Sequence, residues 1–274
     1  TSFNGLKLLD GNFSNKQFQV GAQANETVGV TIASAKSNAL GGANTVAFAN
    51  FDAAIVAAGT DGLSDRITEN LSFIVTPTGG TATTTTVTTV AGESSAATAS
   101  RITAEVSGLT ATATTGARLS KGTTIAPAAD HTFTISVNGH SIGAVTVGAN
   151  DTVFGNNIKA AVNATTALAG LSVTSDANGA TITDSTGADV VIKIAAQSDV
   201  GDDLFVEAMQ ADGTISGDGT LTGKELNAAN EATVVSGDIN FTTNEPTTTA
   251  FTVSSSSSDP GAMLADVSAD AAQT

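Results

Sequence analysis

An α+β fold that is mainly β, with β-hairpins and antiparallel sheets joined by short helices, is what three features of this sequence predict. The apolar residues, 41% of the chain, are chiefly Ala and Val with no Trp, Tyr or Cys. Cores of small and β-branched side chains suit pleated surfaces better than thick helix bundles. Period-2 alternation recurs between Gly, Asn and Pro punctuation, and a strand–strand–helix–strand–strand pattern occurs twice. At 274 residues the apolar content is enough for one large or two to three small domains.

The elements follow in order. Across 15–34, Phe18 and Val20 share one face, as do Val28, Val30 and Ile32, on either side of a Gly- and Asn-containing segment. That pattern predicts a hairpin. Over 51–71, Ile55 and Val56 lie among Ala, and Leu63 and Ile67 stand four apart beyond Asp61-Gly62, which predicts one or two short helices. From Leu71 the pattern turns to strands, LSFIVTP and then TTTTVTTV, separated by Thr78-Gly79-Gly80.

An internal repeat organises the middle. Residues 87–120 lie on 143–185 at an offset of 56, so that Gly92 matches Gly148, Ile102 matches Ile158 and Val106 matches Val162. The second copy then carries a longer loop, which brings Leu109 onto Leu171. Each copy reads strand, strand, polar cap, amphipathic helix, strand, turn, strand. In the second, FTISVNGHSIGAVTV turns at Asn138-Gly139, a strong hairpin signal. Asn150 or Asp151 caps a helix with Ile158 and Val162 on its buried face, and Asn178-Gly179 turns another hairpin. Region 186–245 holds a strand at VVIKIA, an acidic stretch SDVGDDLFVEAMQADG and strands in EATVVSGDINF. Ser254 to Ser258 reads as a linker before a Pro-Gly stop and an Ala-rich helical end.

Composition narrows the function classes. A net charge of −16 repels nucleic acid and anionic membrane surfaces, and no apolar run is long enough to span a bilayer. Without cysteine there is neither a disulfide framework nor a thiolate metal site. His131 and His140 flank the arms of a hairpin, and neither belongs to an H-E-x-x-H motif. Asp199, Asp202, Asp203, Glu207 and Asp212 offer hard oxygen ligands but lack the EF-hand spacing, so a solvated acidic face is the preferred reading. Neither a G-x-S-x-G elbow nor a phosphate loop is present. The expectation is a protein that is not an enzyme, with no cofactor and no metal. Exposed hydroxyls at Thr83, Thr84, Thr85, Thr86, Ser254, Ser255 and Ser256 are candidates for O-linked sugars.

The opening stretch, TSFNGLKLLDGNFSNKQFQVGAQANETVGVTI, resembles the segment of bacterial flagellins that follows their amino-terminal helices. Phe3, Asn4, Gly5, Leu8, Leu9, Asp10, Gly11, Phe18, Val20 and Gly21 carry the likeness. The repeat at 131–185 is similar to the flagellin IN unit, a ββαββ motif of variable outer domains, with 71–120 as a weaker copy. The resemblance implies a structural subunit of the extracellular flagellar filament, serving motility. Residues 1–45 would belong to the inner filament domain, 46–250 to hypervariable, antigenic outer domains, and 251–274 to the return toward the inner domain, which both chain ends build. The long terminal helices of flagellins are missing, so the chain reads as a trimmed, monomeric fragment whose partners in the intact filament are other flagellin subunits. A host immune receptor or surface ligand is a further candidate partner. The rival reading is a cell-surface adhesin or glycan-binding module made of Thr/Gly-rich β repeats.

Overall fold

The computed structural model describes residues 2–3, 6–7, 16–19, 27–31, 45–46, 55–56, 67–77, 80–121, 128–198, 203–209, 224–227, 229–243 and 248–256. Short strands come first: β1 (Ser2–Phe3) against β2 (Leu6–Lys7), β3 (Lys16–Gln19) against β4 (Thr27–Val30), then β5 (Thr45–Val46) and β6 (Ile55–Val56). A first set of longer elements comprises β7 (Asn70–Pro77), β8 (Thr83–Thr88), α1 (Ser95–Glu105) and β9 (Leu109–Lys121). A second comprises β10 (Ala128–Val137), β11 (His140–Gly148), α2 (Asp151–Ala164), β12 (Ser172–Asp176) and β13 (Gly179–Asp184). The chain finishes through β14 (Val190–Gln197), β15 (Leu204–Met209), β16 (Lys224–Leu226), β17 (Ala232–Val235), β18 (Asp238–Thr243) and β19 (Thr248–Ser255). The class is α+β and mainly β, as the sequence predicts, and every strand pairing among the described residues is antiparallel.

Local chemistry explains the punctuation. Asn138 and Gly139 both have positive φ, 48° and 79°, which is what a type I′ turn between β10 and β11 requires. Both α1 and α2 start at a side-chain cap: Ser94 Oγ accepts from the Ala97 N–H, and Asn150 Oδ1 accepts from the Val153 N–H at 3.0 Å. Asn150 is thus the cap of α2, while Asp151 Oδ1 takes the Lys121 N–H at 2.9 Å and ties the helix to the end of β9. Ser94 and Asn150 stand 56 residues apart, as do Gly92 and Gly148, which share a φ of 74°. Ile102, Val106, Ile158 and Val162 are all buried.

Among the described residues two apolar cores result. One gathers Leu71, Phe73 and Val87 from the sheet β19-β7-β8, Ile102 and Val106 after and along α1, Ala111 and Ala113 of β9, and Ile239 and Phe241 of β18. The other packs Phe154, Ile158 and Val162 of α2 between strands of two sheets, with Ala117 and Leu119 of β9, Ile135 of β10, Ile182 of β13, Ile192 of β14 and Val206 of β15. Each core has an aromatic pair, Phe73 with Phe241 at 5.8 Å and Phe133 with Phe154 at 6.1 Å between ring centroids.

Strand β9 belongs to both cores. Its first half pairs with β18, from Leu109↔Thr243 to Thr114↔Asp238, and its second half lies between β13 and β15. This corrects the strand–turn–strand expected at the end of the first copy: 109–121 is one strand of 13 residues. Gly116, in the middle of this strand, is a close approach, because a Cβ there would meet Met209 Cβ at 2.9 Å. The neighbour that β13 provides to β12 in the second set is provided to the first half of β9 by β18, from far along the chain.

Two further expectations change. Ile55 and Val56, read as helical, form β6, paired in register with Val235 and Val234. Leu71, the end of that predicted helical region, is in β7, and Leu63 lies outside the described residues. The acidic stretch is not a solvated face where it is described: Leu204, Val206 and Ala208 alternate into the core, and Asp203 and Glu207 are 4% and 1% exposed. Asp199, Asp202 and Asp212 lie outside the described residues, as does the expected carboxy-side return from 257 onward, while Ser254 and Ser255, read as the start of a linker, instead end β19. Among the described residues no helix is long and apolar enough to cross a membrane.

Candidate functional site

The two hydroxyl runs, far apart in sequence, meet on one sheet. In β19-β7-β8 the register sets Ser254 beside Ser72 and Ser72 beside Thr86, and sets Thr252 beside Ile74 and Ile74 beside Thr84. Directly opposed residues share a face, so these form rows across the outer surface. A third row joins Thr88 to Asn70 through their side chains at 2.8 Å, and Ser256 to Asn70 through two bonds of 3.0 and 3.1 Å. Leu71, Phe73 and Val87 point the other way, into the core.

Alternation therefore divides the hydroxyls read from the sequence. Thr84, Thr86, Ser254 and Ser256 are exposed on the outer face. Thr85 and Ser255 are half-buried on the core side, and the Ser255 hydroxyl donates to Glu69 Oε2. Thr83 has the core-side phase but is exposed where the sheet ends. No charged residue takes part in the three outer rows, in a chain of net charge −16.

The residues that carry the likeness of the opening stretch are placed in part. Phe3 is in β1 and pairs with Leu6, and Phe18 is in β3 and pairs with Val28. Asn4, Gly5, Leu8, Leu9, Asp10, Gly11, Val20 and Gly21 lie outside the described residues.

Among the described residues the titratable groups do not converge on a reaction centre. His131 lies in β10 and His140 opens β11 after the turn, at opposite ends of their hairpin. Among the described residues no group of three His, Asp or Glu side chains is arranged to hold a metal ion. The buried Glu207 lies opposite Arg118 across β15 and β9, with Arg118 Nε donating to Glu207 Oε2 at 2.7 Å and a second contact from Nη2 to the same oxygen. A neutralised pair of this kind is structural rather than reactive.

A carboxyl pair sits at the start of β15. Glu225 in β16 is held above its ordinary 4.5, first by a hydrogen bond with Asp203, then by the Asp203 charge and partial desolvation, against the lowering effect of Lys224. The folded chain thus holds this proton more tightly than the unfolded chain. The resulting stabilisation is present below pH 4.5 and is lost as pH rises through the raised folded value. Replacement Glu225→Gln is expected to flatten the acid branch of the stability profile and to leave the neutral-pH melting temperature at or above that of the parent. Thermal melts followed by circular dichroism across the acid to neutral range check this; an unchanged acid branch would refute it.

No family model matches the chain. Among curated proteins, flagellin A of Helicobacter felis is 58% identical over 41 residues, which cover 15% of this chain and 8% of that protein. Flagellin B of Helicobacter pylori, in two strains, is 54% identical over 41 residues with the same coverage. The matched stretch is thus a small part of the curated relatives' length.

Proposed function

We propose that this chain is part of a flagellin-like subunit of the extracellular bacterial flagellar filament, serving motility as a structural protein and not as an enzyme. The observation that carries the reading is the match of 54 to 58% identity to flagellins over 41 residues. In this reading residues 1–45 belong to the filament-building inner domain, 46–250 are the outer domains, with IN-like units at about 71–120 and 131–185, and 251–274 lead back inward. The partners are other flagellin subunits of the intact filament.

Exposed Thr84, Thr86, Ser254 and Ser256 are the proposed acceptors of O-linked sugar, since their hydroxyls face outward from a charge-free sheet face. Immunogold electron microscopy of the source bacterium, with antibody raised to this chain, tests the location. Label along the filaments is the expected result. Label on the cell body with bare filaments would overturn it in favour of the surface adhesin. Peptide mapping of the native protein tests the acceptors, with sugar expected on the four outward residues and not on Thr85 or Ser255.

A further inference from the structure

We propose that the turn between β12 and β13 is a site of spontaneous covalent modification, at which Asn178 cyclises onto the Gly179 nitrogen and converts to aspartate and isoaspartate. The same dipeptide between β10 and β11, Asn138-Gly139, is protected by the fold. The inference goes beyond the filament reading and does not depend on it.

Asn-Gly is the pair in which this reaction is least hindered, because glycine has no Cβ to shield the attacking nitrogen. The Gly179 nitrogen gives its proton to solvent base and bonds to Asn178 Cγ. The Cγ–Nδ2 bond then breaks and ammonia leaves, closing a five-membered imide. Water opens the ring at either carbonyl, so the net change is amide plus water to carboxylic acid plus ammonia, with no oxidation. Opening at one carbonyl gives aspartate; opening at the other routes the main chain through Cβ and lengthens it by a methylene. The sequence holds three such dipeptides, Asn4-Gly5, Asn138-Gly139 and Asn178-Gly179, and the first lies outside the described residues.

The structure separates the other two. At Asn138 the side chain is tied down: its Oδ1 accepts the Val191 N–H at 2.7 Å, and its own N–H donates to the Val191 carbonyl at 2.9 Å. Val191 belongs to β14, and β10 lies between β11 and β14. Bringing Asn138 Cγ onto the Gly139 nitrogen therefore means breaking bonds to a third strand.

Asn178 is exposed, and among the described residues its side-chain amide makes no hydrogen bond. Its N–H donates to Oδ1 of Asp176, itself exposed, at 2.7 Å. Strand β12 is the end strand of its sheet, and Asp176↔Gly179 is the last pair of its ladder with β13. Fraying of that pair opens the turn alone, and openings of this kind are the least costly that a fold undergoes. Gly179 is packed against Leu119 and Gly155, so the movement falls to Ala177 and Asn178, both exposed. Each conversion places a new negative charge two residues from Asp176.

Incubation of the full 274-residue chain in warm, mildly alkaline buffer, followed by peptide mapping and enzymatic methylation of isoaspartate, tests the proposal. In the folded protein Asn178 is expected to convert about tenfold or more faster than Asn138, which must first give up its two bonds to Val191. In concentrated urea, where only the shared Asn-Gly chemistry remains, the two rates should draw together. Folded protein in which Asn178 stays an amide, or converts no faster than Asn138, would overturn the proposal. So would a rate difference that persists unchanged in urea, since the fold would then not be its cause.

Discussion

Replacing Gly179 with alanine is expected to lower stability by about 3 kcal/mol, because two penalties act at one atom. Gly179 has a φ of 116°, which side chains rarely adopt, and a Cβ there would fall on the Leu119 carbonyl oxygen of β9. The same residue is pressed from the opposite direction, since a Cβ on Gly155 of α2 would fall on the Gly179 carbonyl. Gly155, Gly179 and Leu119 thus form a close stack of helix on strand on strand. Relief would require β13 to move away from β9, opening the layer that buries Ile182, Leu119 and Phe154. Gly139→Ala is the control: its φ of 79° is similarly costly, but nothing lies within 4 Å of the added carbon, so about 1 kcal/mol should be lost. Urea unfolding followed by circular dichroism measures both, and equal losses at the two positions would show that close packing is not the main cause at Gly179.

Arg118→Met is expected to cost about 3–5 kcal/mol, since it leaves Glu207 as an uncompensated charge in the interior. Glu207 is 1% exposed, and its Oε1 has no hydrogen bond among the described residues, so the Arg118 contacts through Oε2 are its main compensation. The double variant Arg118→Met with Glu207→Leu removes both charges and should recover most of the loss, because a packed apolar pair stands in for a buried ion pair at little cost. A double variant no more stable than the single one would mean that the pair fixes the β9–β15 register beyond neutralising a charge. The same unfolding experiment distinguishes these outcomes, and the thermodynamic cycle isolates the coupling.

These two sites mark where sequence reading reached its limit. Glu207 lies in a stretch dense in acids, and density alone argues for solvent. The contrary signal was the alternation of Leu204, Val206 and Ala208, which makes 204–209 a core strand whatever its charges. What could not be read was the partner, because Arg118 lies 89 residues away and is brought opposite only by the β9–β15 register. The turn expected in the first copy is absent for a similar reason: at Gly116 the missing side chain makes room for Met209 of another strand.

The sequence by itself determined the mainly β class, the hairpin turn at Asn138-Gly139, the start of α2 at Asn150 or Asp151 and the buried faces of α1 and α2, because local pattern and neighbouring side chains decide them. Only the tertiary structure decided that β9 runs unbroken through two cores, that β18 supplies a neighbouring strand from far along the chain, and that two separate hydroxyl runs share one face of one sheet. The physical reason is that a period of two shows which way a side chain points but carries no information on which strand lies alongside. That choice belongs to long-range register, and with it go the buried ion pair and the outward threonines.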